Sequence, residues 1–115
     1  MEKLFHEELK DQMDKFAHLA YFVSKSFPKE EIYGLTSQLR RAALSVVLNY
    51  IEGYARNRDK PYKNFLEISY GSLKEAKYLV NFAFIEGYLP KEDHDKAVLL
   101  ADRIGAMLWG TIRKI

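Results

Sequence analysis

Six basic residues lie close together in the middle of the chain, where the only acidic residues are Glu52 and Asp59. Tyr54 and Tyr62 are interleaved with these cations. Guanidinium groups beside aromatic rings are typical of surfaces that contact the phosphates and stack the bases of single-stranded RNA. We therefore predict a nucleic-acid-binding site made of Arg40, Arg41, Arg56, Arg58, Lys60 and Lys63. Two alternatives stay open: a solvated helix end with its loop, or pairing of Arg41 and Glu52 with a neighbouring subunit.

The remaining titratable residues form no pattern that is typical of catalysis or metal binding. Helical di-metal proteins place a Glu three residues before a His on two helices, and none of His6, His18 and His94 has that partner. Glycine-rich phosphate loops and nucleophile-elbow motifs are absent, and so is cysteine. We expect a protein that is not an enzyme, with no catalytic residue, metal or cofactor, and with its histidines on the solvated surface.

Length and composition predict one domain, which spans residues 1–115. With 18 basic and 16 acidic side chains, the net charge of +2 is too small to require a polyanionic partner, so the nucleic-acid argument depends on local charge. No stretch of about 20 apolar residues predicts a membrane span. We expect a cytoplasmic protein with no membrane contact.

Apolar spacing predicts two helices in the first half of the chain. In the first, steps of three and four residues place one stripe on a single face, and Pro28 ends the helix. The second helix is predicted to be capped by Thr36 or Ser37. Its small residues indicate that the backbone of another helix approaches it closely. The two predicted core faces are Phe5, Leu9, Met13, Phe16, Ala20, Val23 and Phe27, then Leu39, Ala42, Ala43, Val46, Tyr50 and Gly53.

The second half predicts two more helices. The third begins at a cap on Asp59, extends to about Glu86 and is ended by Gly87. Within it, the pair Gly71 and Ser72 indicates close helix packing. The fourth helix is opened by the carboxylates Glu92, Asp93 and Asp95, which complement the helix dipole. Four helices joined by short connections predict an all-α, antiparallel up-down four-helix bundle.

The third and fourth helices carry more apolar surface than one chain needs. Residues 78–85 are apolar nearly all round, and between Ala97 and Ile112 the only charged residues are Asp102 and Arg103. We predict that copies of the chain share this surface in a homo-oligomer. The alternative is that the surplus packs in a thick core. The predicted interface residues are Tyr78, Phe82, Phe84, Leu100, Ile104, Leu108 and Trp109.

An ordered set of motifs resembles a known family from Phe27 onward. The chain reads Phe27-Pro28-Lys29, then Gly34-Leu35-Thr36-Ser37-Gln38-Leu39-Arg40-Arg41-Ala42-Ala43, Asn49, Glu52-Gly53, Phe65-Leu66, Gly71-Ser72-Leu73, Glu75 and Gly87-Tyr88-Leu89. This set is similar to the four-helix-bundle proteins encoded in intervening sequences of bacterial 23S ribosomal RNA genes. The chain departs from the family pattern Ile-Pro-Ser-Asn-Ile-Ala-Glu-Gly at Val46-Val47-Leu48-Asn49-Tyr50-Ile51-Glu52-Gly53, which adds bulk around Leu48.

The resemblance implies a homopentameric barrel of four-helix subunits without established catalytic activity. The same architecture is shared by the accessory protein of diversity-generating retroelements, to which Ile104-Gly105-Ala106-Met107-Leu108-Trp109-Gly110 is similar. That protein binds nucleic acid and a reverse transcriptase through a basic surface. Our leading hypothesis is therefore an oligomer that binds RNA or DNA. The alternative is a scaffold for a protein partner, for example an accessory subunit of a reverse transcriptase.

Overall fold

The computed structural model describes residues 2–56 and 58–115, and every regular element in that part of the chain is helical. The four long helices are α1 (Glu2–Ser24), α2 (Leu35–Arg56), α3 (Asp59–Ile85) and α4 (Lys91–Ile112). A short 3-10 helix (Lys29–Glu31) lies between α1 and α2. Each long helix packs against its neighbour along the chain, and α4 packs against α1. The prediction of an all-α four-helix bundle is confirmed.

Contacts between neighbouring helices give the bundle two distinct ends. His6 of α1 contacts Tyr50 of α2, and Ser24 near the end of α1 contacts Arg40 near the start of α2. The molecule measures 42 × 25 × 18 Å, and the long axis is close to the roughly 40 Å length of the 27-residue α3. The start of α1 therefore lies beside the end of α2. After the end of α1, the hydroxyl of Ser26 donates to the carbonyl oxygen of Tyr88 at 3.0 Å, which joins the α1–α2 and α3–α4 connections.

One apolar face of each helix forms the core. The predicted face of α2 is buried throughout, which confirms that prediction. The predicted stripe of α1 is buried with one exception, because Phe5 is 42% exposed near the beginning of the chain. Polar groups inside the core are paired: the buried hydroxyl of Ser69 donates a hydrogen bond to the carbonyl oxygen of Val46 at 2.7 Å.

The start of α2 differs from the prediction. The helix begins at Leu35, so Thr36 and Ser37 lie within its first turn and not at its cap. The carboxylate of Glu31 accepts the hydrogen bond from the Leu35 amide at 3.1 Å. The 3-10 helix supplies this cap because it carries Glu31 back over the first turn. Helix α1 also ends at Ser24, before Pro28 is reached.

Close packing was predicted at two glycines and is present at one. A β-carbon at Gly53 would lie 2.9 Å from the β-carbon of Phe65, so the α2 and α3 backbones approach closely here. A β-carbon at Gly71 would meet nothing within 4 Å, so the prediction is wrong at that glycine, whereas the Ser72 hydroxyl predicted with it lies 2.8 Å from that of Ser45 on α2. Helix α3 begins at Asp59, whose side chain lies outside the described part of the structure, so its predicted capping role stays a prediction.

The other predicted helix ends are confirmed. Helix α3 ends at Ile85, and Gly87 follows with a φ of 81°. Helix α4 begins with Glu92 and Asp93 in its first turn, where carboxylates complement the exposed amides. Within the described residues, no helix has both the length and the apolar character needed to span a bilayer.

Candidate nucleic-acid interface

The α2–α3 connection carries a local excess of positive charge. From Arg56 to Lys63 the chain has four basic residues and one acidic residue, and we call these residues 56–63 the basic turn. The side chains of Arg58, Lys60 and Lys63 are exposed. No carboxylate among the described side chains pairs with any of these three cations. Their charges are therefore open to a ligand from solution.

Arg56 differs from the other cations of the basic turn because it has partners within the subunit. Its Nε and Nη2 atoms donate hydrogen bonds to one oxygen of Glu52, at 3.1 and 2.7 Å. The guanidinium carbon also lies 5.3 Å from the ring centre of Phe65. Both members of the ion pair are about half exposed, so water weakens their attraction. Arg56 is held in place but remains accessible.

Arg40 and Arg41 do not lie near the basic turn, although we predicted them in the same site. Fifteen residues separate Arg41 from Arg56 along α2, which corresponds to about 22 Å of helix. The Nε atom of Arg40 donates to Ser24 at 2.8 Å, and its guanidinium lies over the ring of Tyr21 at 4.8 Å. Arg40 therefore faces α1. Arg41 is exposed beside a cleft between α2 and α3 that Glu75 also lines. The structure thus brings together four of the six predicted residues.

Sequence reasoning named Tyr54 among the cations but missed the aromatic ring that stacks on it. The rings of His6 and Tyr54 are nearly parallel, with centroids 3.4 Å apart and an interplanar angle of 12°. The Nδ1 atom of His6 lies 2.7 Å from the hydroxyl oxygen of the buried Tyr50. Burial lowers the pKa of His6, against the opposing effect of Glu7, and burial also raises the pKa of Tyr50. His6 and Tyr50 are 44 positions apart, so no local spacing signals this contact.

His94 is also not the solvated residue that we predicted. Its Nε2 atom lies 2.6 Å from Asn81 Oδ1, and its Nδ1 atom lies 2.9 Å from Asp95 Oδ1. The ring stacks on Phe84 with centroids 4.4 Å apart. His94 therefore joins the end of α3 to the start of α4. Among the described residues, no three His, Asp or Glu side chains are arranged to hold a metal ion.

The apolar surplus of α3 and α4 divides between the core and the surface. Ile104 and Leu108 are fully buried within the subunit, so their predicted place in an interface between copies is wrong. Phe84 and Leu100 are partly buried against the same core. The exposed members of the predicted interface are Tyr78 (65%), Phe82 (42%) and Trp109 (50%).

A second exposed apolar row follows the outward side of α2. Leu44, Leu48 and Ile51 recur at steps of four and three residues, which keeps them on one side of the helix. On α3 the exposed residues Ile68, Tyr78, Phe82 and Ile85 also share the outward side. We call these two rows together the outer α2–α3 face. Sequence reasoning singled out only the α3 part, because the core face of α2 accounted for its apolar spacing.

Comparisons with known proteins agree with this architecture. The sequence model of the family described as 23S rRNA-intervening sequence protein matches residues 7–110. A crystal structure of a protein of unknown function from the S23 ribosomal protein family of Bacteroides thetaiotaomicron VPI-5482 superposes with a TM-score of 0.86. The two chains are 19% identical over 95% of this chain and 98% of the other. At that identity, the superposition establishes the fold alone. No curated protein matches the sequence.

Proposed function

Because the chain belongs to the family of 23S rRNA-intervening sequence proteins, we propose that it is a non-enzymatic, homo-oligomeric protein that binds RNA through the basic turn. One observation supports the binding site above all others: Arg58, Lys60 and Lys63 are exposed and lack a described carboxylate partner. Cations that are left unpaired at one end of a molecule attract phosphates, because binding releases the counterions of the nucleic acid. A cytoplasmic location gives such a surface access to RNA.

The oligomeric part of the proposal depends on the outer α2–α3 face. Its exposed side chains include Leu48 at 58%, Tyr78 at 65% and Ile85 at 80%. Large apolar side chains recurring along two adjacent helices favour association with another copy of the chain. We take the subunit arrangement to be the up-down bundle and the subunit number to be five, as the family resemblance implies. Association would repeat the basic turn several times in one particle, which strengthens binding through multivalency.

Titration of a labelled single-stranded RNA at about 50 mM salt tests the binding site. The test variant carries Arg58→Gln, Lys60→Gln and Lys63→Gln. The control carries Lys25→Gln, Lys29→Gln and Lys96→Gln, which removes the same charge from three exposed lysines away from the basic turn. If all three residues contact phosphates, the test variant should bind weakly, and its log–log salt slope should fall by about 2. Absence of binding by the wild type, or an equal loss in the control, would reject the proposal.

The same titration with DNA of identical sequence compares the two nucleic acids. RNA and DNA present similar phosphate spacing, so preference for RNA should appear as a difference in affinity at equal salt. Size-exclusion chromatography with light scattering tests the oligomer. Leu48→Ser combined with Phe82→Ser should shift the particle to lower mass, whereas the exposed Tyr33, outside the outer α2–α3 face, should tolerate replacement by Ser without a shift.

A protein partner is the second candidate, because Leu99 (54%) and Trp109 (50%) on α4 are exposed outside the outer α2–α3 face. Trp109 lies against Tyr70 of α3, which gives a firm aromatic surface that self-association through that face leaves uncovered. A reverse transcriptase is one such partner. Recovery of a defined protein complex after nuclease treatment, with loss on Trp109→Ser, would favour this function over RNA binding.

A further inference from the structure

We infer that the His6–Tyr54 stack is a base-stacking platform that makes the basic turn select single-stranded over double-stranded RNA. This inference depends on the proposed function, because it assigns the form of RNA that the site accepts. It assigns a role to Tyr54 of α2 and adds His6 of α1, neither of which belongs to the charged set.

The platform is fixed in place before any ligand binds. His6 lies against Tyr54 with centroids 3.4 Å apart, and its Nδ1 atom is tied to the hydroxyl of Tyr50 at 2.7 Å. Tyr50 is only 2% exposed and belongs to the core. The chain of contacts therefore extends from the core through His6 to Tyr54. A ring held in this way loses little conformational freedom when a ligand stacks on it.

The outer ring is accessible and lies near the end of α2, from which the basic turn continues. Tyr54 is 41% exposed and is located in the last turn of α2. Arg56 follows two positions later, on the opposite side of the helix, and begins the basic turn. A single strand that passes over the end of α2 from the basic turn can bring one of its bases to the Tyr54 ring. This combination of a cationic track and a ring is how proteins hold single strands without reading their sequence.

Selectivity for single strands follows because the faces of the bases are not accessible in a duplex. Bases in a helix are stacked on each other and paired, so a surface ring cannot reach their faces without opening the duplex. The phosphates of both forms can reach the basic turn. Single strands therefore gain the stacking contribution and duplexes do not. One base on one ring corresponds to about a tenfold gain in affinity.

An RNA of about 12 nucleotides, free or annealed to its complement, tests the inference. Wild-type protein should bind the single strand about tenfold more tightly than the duplex. Tyr54→Leu should lower single-strand affinity to the level of the duplex and leave duplex binding unchanged. Tyr54→Phe should retain the preference because the ring remains. Tyr33→Leu, which replaces a tyrosine that is 94% exposed in the α1–α2 connection, should have no effect.

A fluorescent base provides a second measurement that needs no variant. An RNA with 2-aminopurine at one position in each probe should be quenched when that base stacks on the wild-type protein. If wild type binds both forms equally and Tyr54→Leu binds as wild type does, the inference is wrong while the proposed function stands. If wild type binds neither form, the proposed function itself fails. Absence of quenching at every position tested would also overturn the inference.

Discussion

The two connections at opposite ends of α3 carry opposite charge patterns. The basic turn, residues 56–63, has four basic residues and one acidic residue, whereas residues 86–95, which we call the acidic turn, have four acidic residues and one basic residue. Two of the charges in the acidic turn are engaged within the subunit: Lys91 pairs with Asp95 at 2.7 Å, and Asp95 also contacts His94. Three cations of the basic turn have no such partner among the described side chains. The difference separates a lysine that is paired within the subunit from three cations that are available to a ligand.

The backbones of the two turns are also built differently. In the acidic turn the amide of Tyr88 donates to the carbonyl of Ala83, and the amide of Gly87 donates to that of Phe84, both at 2.9 Å. With a φ of 81° at Gly87, this is the Schellman arrangement that commonly ends a helix. At the basic turn the helices α2 and α3 follow each other almost directly, and Gly53, just before the turn, permits their close approach. A pair of backbone hydrogen bonds ends α3 at the acidic turn, and close packing at Gly53 brings the two helices together beside the basic turn.

Replacement of Gly53 by Ala should produce the largest change in stability. The added β-carbon would lie 2.9 Å from the β-carbon of Phe65 and 3.4 Å from the carbonyl oxygen of Tyr62, so the helices must separate. Overpacking of this kind costs about 1–3 kcal/mol, against which alanine gains up to about 1 kcal/mol in helix propensity. We expect a net loss of about 1–2 kcal/mol in the free energy of unfolding, measured by urea denaturation.

Gly71→Ala is the matched control on α3. The substitution is the same, but the added β-carbon meets nothing within 4 Å. Only the propensity gain remains, so the free energy of unfolding should rise by up to about 1 kcal/mol. Equal and favourable effects at both positions would show that α2 and α3 do not need the close approach at Gly53, and the contrast between the two turns would lose its steric basis.

Sequence patterns predicted the helices well because burial repeats with the helical period. The core face of α2 could be read from its spacing, and the end of α3 could be read from Gly87. The candidate site was predicted only in part. Counting basic residues along the sequence groups Arg40 and Arg41 with the basic turn. In the structure, about 22 Å of helix separates them from it. His6 could not be found at all, since its partners belong to another helix.

The two ends of α3 should also respond to acid in different pH ranges. Burial lowers the pKa of His6, so the unfolded chain takes up a proton at about 6.5 while the folded protein does not. The free energy of unfolding should therefore fall as the pH decreases below about 6.5, and level off once folded His6 is protonated. At the acidic turn, hydrogen bonds from Lys91 and then His94 lower the pKa of Asp95 below 3.8. The contribution of Asp95 to the free energy of unfolding is therefore lost only as the pH falls below 3.8.

Denaturation at a series of pH values measures both ranges. His6→Phe should flatten the dependence that begins near pH 6.5 and leave the lower range intact, because phenylalanine cannot titrate. Asp95→Asn should flatten part of the lower range only. His18→Gln replaces an exposed histidine of the same helix and provides the matched substitution. A His6→Phe curve identical in shape to that of the wild type would mean that the stack at the basic end is not sensitive to protonation.

The smallest expected effect comes from loosening one ion pair in each turn. Glu52→Gln weakens the hold on Arg56, whose Nη2 atom lies 2.7 Å from Glu52 Oε1. An exposed pair of this kind contributes about 0.3–0.5 kcal/mol, so the fold should be almost unaffected. The freed guanidinium adds one phosphate contact to the basic turn, which should steepen the log–log salt slope for single-stranded RNA by about 0.7.

Asp95→Asn loosens the pair between Lys91 and Asp95 in the acidic turn and changes the net charge by the same amount. It should leave the salt slope unchanged, because the released lysine is followed directly by the acidic residues Glu92 and Asp93. Titration of the two variants under the same conditions therefore distinguishes an effect of where the charge lies from an effect of the net charge. Equal gains would mean that net charge governs RNA affinity, and then the basic turn would have no special role. A gain in Glu52→Gln alone would assign the binding to the unpaired cations at the α2–α3 end.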